Sequence, residues 1–319
     1  MSRLRVLLIA LILAPSTGCS WLREVTGMPA RNSTGNTGPI QPVNANKLVD
    51  YVNSQADRLQ SIKYSQVTVS TRRGLLLNPL PNLRGDLAAS QPQSFRLIAE
   101  GGVVGAKVDM GSNTDLFWVS LHVPTQQPVF VYASHNDFES GKARLPEEMP
   151  FEPEWVMQAL GMAHLPPGGQ YHTDVDARAR TYKLSWPAKL PSGVEVRKEI
   201  IFAVDDADPS KNQAQIKKHL IRDKRGNLIC SAEVKSAKTL EAGGTDPHTN
   251  RPYVLQYPTE VVLRWEAERF EMTLKLDAAQ VNQTIPPDEA DRLFRLPDAS
   301  RAGANPVNLA EARFSAPRR

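Results

Sequence analysis

The chain is poor in cysteine, with two in 319 residues, Cys19 and Cys230. At most one disulfide can form, so a hydrophobic core and not a disulfide scaffold must hold the fold. Long apolar runs are scarce as well: the N-terminal run over 4–14 is shorter than the roughly 20 residues that cross a bilayer. The sequence has no G-x-S-x-G elbow, H-E-x-x-H pair, P-loop or C-x-x-C, which removes several common routes to hydrolysis, nucleotide chemistry and dithiol exchange. Gly101-Gly102-x-x-Gly105 precedes a strand pattern instead of a helix, so it is no dinucleotide fingerprint. Asp205-Asp206-Ala207-Asp208 lacks the glycine and closing glutamate of a calcium loop and reads as a hairpin tip. The six histidines, His122, His135, His164, His172, His219 and His248, have no metal-ligand spacing and read as superficial. No metal or cofactor is expected, and the reading is of a non-enzyme. The formal charge of +4 is too small a surplus, without any RRM, KH or zinc-finger signature, to argue for nucleic acid.

Apolar residues make up 41% and charged residues 23%, enough for a real core. Arg3 and Arg5 precede the short apolar run, which breaks at Pro15 and leads to Ser16-Thr17-Gly18-Cys19. That layout reads as a secretory signal over 1–18 of the bacterial lipoprotein kind, with acyl chains attached to Cys19. An ordinary cleaved signal with a coincidental cysteine is the competing reading. Ser20, not Asp, follows the cysteine, which favours the outer membrane of a bacterial envelope, facing the periplasm. Residues 19–45, rich in Asn, Ser, Thr, Gly and Pro, read as a flexible tether. Residues 46–297 form the body, and 298–319, which show no apolar stripe, read as a disordered tail.

Within the body, Leu48, Val52, Ala56 and Leu59 share one side of a 3.6-residue period, with Asn44 or Asn46 as a cap. This helix is either a plug over an apolar cavity or one helix packed on a sheet. Strand patterns follow at 62–71, 83–88, 95–99, 103–110, 116–121 and 129–133. A helix opens near Pro153 and closes at Leu160-Gly161, facing Trp155, Val156 and Ala159 inward. Strands resume at 182–186, 194–204, 215–222, 228–234, 259–265 and 271–276, and a short helix starts after Pro286-Pro287. Cys230 falls in a strand as a buried, inert thiol. Turns this short forbid parallel crossovers, so the sheet is antiparallel. Many strands with few helices predict a mainly β, α+β fold: a strongly curved antiparallel sheet, an unclosed β-barrel, with a helical lid on its concave face.

Three stretches together resemble the LolA/LolB-like lipoprotein-carrier superfamily. They are residues 83–97, with Leu83-Arg84-Gly85-Asp86-Leu87 leading to Phe95-Arg96-Leu97; residues 108–118, ending in Leu116-Phe117-Trp118; and residues 257–297, from Tyr257-Pro258-Thr259 to Phe294-Arg295-Leu296-Pro297. The resemblance covers roughly 46–297. It implies an unclosed barrel with a helical lid, an apolar cavity for acyl chains or the lipid part of lipoproteins, and, with Cys19, a membrane-anchored receptor type. The chain is longer than the family pattern, with additional material at 189–208 and 240–250.

Alternation and residue type nominate Phe95, Leu97, Phe117, Val119, Trp186, Phe202, Leu263 and Met272 as inward-facing. They line either a pocket or a filled core. Leu75, Leu76, Leu77 and Leu80, in a proline-broken run between the first two strands, are either a membrane-touching loop, as the resemblance implies, or simply buried. Arg96, among apolar neighbours, either meets a helix end or snorkels to the surface. Binding of acyl chains or lipoproteins in an apolar cavity, in lipoprotein or lipid transfer at the outer membrane, is the leading functional expectation, and an envelope lipoprotein with a packed core and a protein partner is the alternative.

Overall fold

The computed structural model describes residues 40, 42–73, 82–101, 105–123, 127–144, 153–204, 214–246, 251–267 and 269–312. Helices α1 (Ala45–Arg58), α2 (His135–Glu139), α3 (Pro153–Ala159), α4 (Pro287–Leu293) and α5 (Ala299–Ala302) accompany the strands. The first six strands are β1 (Ser61–Arg73), β2 (Leu83–Ser90), β3 (Ser94–Glu100), β4 (Lys107–Ser112), β5 (Leu116–His122) and β6 (Val129–Ser134). After α3 come β7 (His172–Asp176), β8 (Thr181–Lys189), β9 (Glu195–Val204), β10 (Ala214–Asp223), β11 (Leu228–Asp246), β12 (Arg251–Trp265) and β13 (Phe270–Val281). The last is β14 (Val307–Asn308).

All fourteen lie in one sheet, ordered β14-β6-β5-β4-β3-β2-β1-β13-β12-β11-β10-β9-β8-β7. The chain meanders outward from β1 to β6, then reappears at the opposite edge as β7 and meanders inward until β13 pairs with β1. Neighbours in each meander are consecutive in sequence, so short turns suffice and the pairs are antiparallel. Only β14 runs parallel to its neighbour, β6. The two edges do not pair, which leaves an unclosed, mainly β structure as expected.

One apolar cluster joins Val131 of β6 to Val196 of β9, near opposite edges of the sheet, through Phe95, Leu97, Phe117, Val119, Val261 and Leu263. Only a curled sheet lets such distant strands share a core. The passage from β6 to β7 has to cross about 60 Å of sheet at ~4.8 Å per strand if the sheet lay flat. It crosses the concave side carrying α2 and α3, whose Phe138, Trp155, Met157 and Leu160 join the same cluster. The topology therefore supplies the filling of the concavity.

The α1 helix starts at Asn44, whose Oδ1 accepts the Asn46 amide at 2.9 Å. Leu48, Val52, Ala56 and Leu59 are all buried, as their spacing predicts. In α3, Pro153 occupies the first turn and Trp155, Val156 and Ala159 face inward. Cys230 is a buried residue of β11.

Several expectations change. Residues 299–312, within the stretch read as disordered tail, include α5 and β14, and Leu309 is buried in the main cluster. A stripe was not visible there because small residues do the packing: Ala302 and Ala304 lie with Leu296 against Trp118 and Phe130 on the outer face of the sheet. The β11–β12 hairpin is longer than its alternation suggests, since residues 235–241 are exposed and show no period-2 hydrophobic pattern. The short β7, half-exposed and polar, and α2, a five-residue helix capped by Ser134, left no apolar signature in the sequence. His219, read as superficial, is 5% exposed.

Candidate functional site

All eight inward candidates belong to the inner face, but they fall into two groups. Phe95, Leu97, Phe117, Val119 and Leu263 are buried in the main cluster, with Met272 half-buried against it. Trp186 and Phe202 belong to a second cluster, with Leu184 and Ile200, under Leu48, Val49 and Val52 of α1. The interior thus holds two apolar groups, with α1 covering one and α3 the other.

The lid helices are tied together. Asn53 of α1 donates from Nδ2 to the Leu165 carbonyl at 3.2 Å and accepts the Leu165 amide on Oδ1 at 2.7 Å. Asp57 Oδ1 lies 2.8 Å from His164 Nε2. The segment that follows α3 is therefore held by two side chains on one face of α1.

The sheet itself is split beneath this lid. β12 pairs with β13 only from Glu260 to Trp265, whereas the stretch before Glu260 pairs with β11 alone, and β13 continues along β1. A gap between strands leaves backbone groups that must find partners. Gln55 of α1 supplies them: its Nε2 donates to the Val254 carbonyl and its Oε1 accepts the Gln256 amide, both at 3.0 Å. Tyr64 Oη of β1 reaches across to the Pro258 carbonyl at 2.7 Å.

A hollow of about 40 Å³ remains at this split, lined by Tyr51, Gln55, Gln158, Ala159, Leu160, Gly161, Ile216, His219, Val234, Ala237, Gln256, Tyr257 and Pro258. It lies where the groups meet, for Leu160 and Tyr257 pack with the main cluster and Ile216 with the second. One water needs about 10–15 Å³ of such space, so the hollow holds a few small groups and no long chain. None of the eight inward candidates lines it. Trp186 borders a separate open cleft of about 700 Å³ with His172, Arg197, Asp223 and Lys224.

Two polar side chains in the hollow are shut away from solvent. The Tyr51 hydroxyl is buried with no hydrogen-bond partner among the described residues. Its ring meets Phe202 edge-on at 6.1 Å. Burial pushes its pKa upward, which keeps it a neutral O–H donor. Burial, with a smaller effect from Lys198, brings His219 down to about 4, so its imidazole is neutral at physiological pH. Lys198 turns toward the lid, 3.6 Å from Glu154 of α3, and Gln158 donates to Glu154 at 2.7 Å. Tyr51 and His219 were not found from the sequence. Tyr51 departs from the helical apolar stripe, and a lone histidine in a strand carries no spacing signal.

Arg96 lies on the outer face and is 7% exposed. It forms a two-pronged pair with Asp109, Nη2 to Oδ2 at 2.7 Å and Nε to Oδ1 at 3.1 Å. Nη1 donates to the Leu293 carbonyl at 3.0 Å, so Arg96 does meet a helix end, the last turn of α4. Trp118 Nε1 donates to Asp109 at 3.0 Å, and Asn113 Nδ2 to the Phe294 carbonyl at 3.1 Å. This network fastens the C-terminal segment to the back of the sheet and leaves the concave side to the lid.

Cys19, residues 1–18, and Leu75, Leu76, Leu77 and Leu80 lie outside the described residues, as does most of the tether. No described helix is long and apolar enough to cross a membrane.

No family model and no curated protein matches the sequence. Among solved structures, the chain is similar to a Vibrio parahaemolyticus domain described as an outer membrane lipoprotein-sorting protein, at 10% identity and TM-score 0.49 over 79% of this chain and 100% of that one. It is similar to a LolA superfamily protein from Nitrosomonas europaea, at 10% identity and TM-score 0.44 over 80% of this chain and 99% of the other. A DUF1329 family protein from Desulfovibrio piger is similar at 12% identity and TM-score 0.46, over 79% of this chain and 97% of its own length.

Proposed function

We propose that this chain is a membrane-anchored lipoprotein of the bacterial envelope that binds acyl chains, or the acylated end of other lipoproteins, between its curled sheet and its helical lid. The observation that carries this reading is the apolar inner face, two clusters covered by α1 and α3, which are held to each other and to the split sheet by a handful of polar side chains. No bond is made or broken. The lid swings away as a unit, Gln55 gives up its two backbone contacts, and a chain takes the place of Leu48, Val52, Trp155 and Met157 against the sheet. Burial of each methylene contributes about 0.8 kcal/mol, so a long chain can offset the displaced lid contacts. Acyl chains on Cys19 hold the protein at the outer membrane, and Leu75, Leu76, Leu77 and Leu80 touch the bilayer. The superfamily resemblance of the sequence supports the same reading.

The test uses protein starting at Ser20, which has no anchor of its own. Mass spectrometry of its organic extract and titration with a fluorescent acyl probe should reveal bound lipid and saturable binding. A second reading, a packed interaction lipoprotein with a protein partner, is favoured by the small size of the hollow. Absence of lipid, indifference to the probe and co-purification with one protein would establish it and overturn the first. The anchor is tested separately by the mass of the mature N-terminal peptide, and the leucines by Leu76→Glu with Leu77→Glu, which should weaken liposome binding without lowering stability.

A further inference from the structure

We infer that the hollow at the β12–β13 split is a carbonyl-binding subsite, in which the Tyr51 hydroxyl and the His219 ring hold the ester or amide group that heads an acyl chain. The inference rests on the acyl-binding reading above and adds the polar half of the ligand.

A buried hydroxyl left without a partner costs about 1–3 kcal/mol, so folded chains rarely keep one. Tyr51 Oη is such a group, on a residue that lines the hollow from α1. Phenylalanine at this position would fill the same space against Phe202 without that cost. Opposite it, His219 presents an imidazole from β10 that is enclosed by Ile200 and Ala232 on the neighbouring strands. Among the described residues no hydrogen bond occupies its ring. Of the other polar side chains around it, Gln55 is committed to the β12 backbone and Gln158 donates to Glu154, while Gln256 and Tyr257 also border the hollow. Tyr51 and His219 add to the hollow one O–H donor and one imidazole, which offers a donor nitrogen and an acceptor nitrogen.

That set fits an uncharged carbonyl. The oxygen of an ester or amide accepts from Tyr51, and an amide N–H has the acceptor nitrogen of His219 available. A bound carboxylate is disfavoured where much of the wall is apolar, with Ala159, Leu160, Ile216, Val234 and Pro258, and where the neighbouring cation, Lys198, is paired with Glu154. About 40 Å³ suits one such group and excludes the chain attached to it. The chain must then run from the hollow along the inner face, and the position of the hollow between the two apolar groups gives it a route in either direction.

The experiment uses the full chain carrying Cys19→Ser, so that no covalent acyl group competes. Methyl palmitate, N-methylpalmitamide and heptadecane displace a fluorescent acyl probe from this protein and from its Tyr51→Phe form. Both carbonyl compounds should bind more tightly than the alkane. Tyr51→Phe should weaken them about tenfold, the effect of one buried hydrogen bond, and leave heptadecane unchanged. The unliganded variant should melt at the same temperature or higher, because an unpartnered hydroxyl has gone. Equal affinity of ester and amide assigns the subsite to both kinds of chain; a preference for the amide that His219→Phe abolishes assigns it to amide-linked chains. If Tyr51→Phe changes all three affinities alike, or none, the subsite is refuted while acyl binding stands. If the parent protein binds none of the three, acyl binding itself fails and the subsite with it.

Discussion

Replacing Arg96 by methionine should unfasten the back of the sheet. Arg96 and Asp109 have side chains only 8% and 20% exposed, and the guanidinium also satisfies the last carbonyls of α4. Removing one member of a buried pair leaves an uncompensated charge and costs about 3–5 kcal/mol. Asp109 keeps its bond from Trp118 Nε1 and some access to water, which places Arg96→Met near the lower end, about 3 kcal/mol. Adding Asp109→Asn removes the stranded charge yet keeps an acceptor for Trp118, so the double variant should recover part of the loss. Urea denaturation gives both values. Amide hydrogen exchange should show residues 293–309 opening ahead of the rest, because α4, α5 and β14 attach through this point and through Trp118 and Phe130. A single variant within 1 kcal/mol of the parent, or a double variant worse than the single one, would refute this account.

Gly111→Val should cost about 1–3 kcal/mol by overpacking, since a Cβ at Gly111 would lie 2.2 Å from Cζ2 of Trp118; thermal melting and near-ultraviolet dichroism of the tryptophan will show it. Leu309→Ala should cost about 2–4 kcal/mol in urea, as for other buried leucines, whereas a disordered tail would give no change. Acid should lower the stability of the protein along two successive limbs. His219 titrates at about 4 in the fold against an ordinary 6.5, so the unfolded chain takes up its proton first. Stability is then complete above pH 6.5 and falls by about 3 kcal/mol as pH drops through 4. His219→Phe should flatten that limb in pH-dependent urea melts. Glu233 follows at lower pH: burial acts to raise it, but Lys235 and Arg264 outweigh that and hold it at about 2. Its contribution is present above pH 4.5 and lost as pH falls through 2, a limb that His219→Phe should leave intact.

The sequence by itself determined the local structure wherever one side of an element is wet and the other dry. Val67 and Val69 in β1, Phe117 and Val119 in β5, and Leu48, Val52, Ala56 and Leu59 in α1 show their periods plainly, and the brevity of the turns between strands forced an antiparallel sheet. Those rules also marked the inner-face residues and left Arg96 with a helix end as one of two partners. They fail where packing does not follow a stripe of large apolar residues. The α5–β14 segment is held by alanines against Trp118 and by a single leucine, and residues 235–241 of β11 are exposed without alternation.

Only the tertiary structure decided which distant residues share a site. The order of strands sends the β6–β7 connection across the concave side, which turns α3 into part of a lid and joins it to α1 through Asn53 and Leu165. The split between β12 and β13 is a matter of which strand each segment pairs with, and no local pattern records it. Tyr51 and His219, 168 positions apart in the chain, meet at that split because a helix and a curled sheet bring them there. Polar groups in such a place gain their meaning from enclosure, and enclosure is a property of the whole fold.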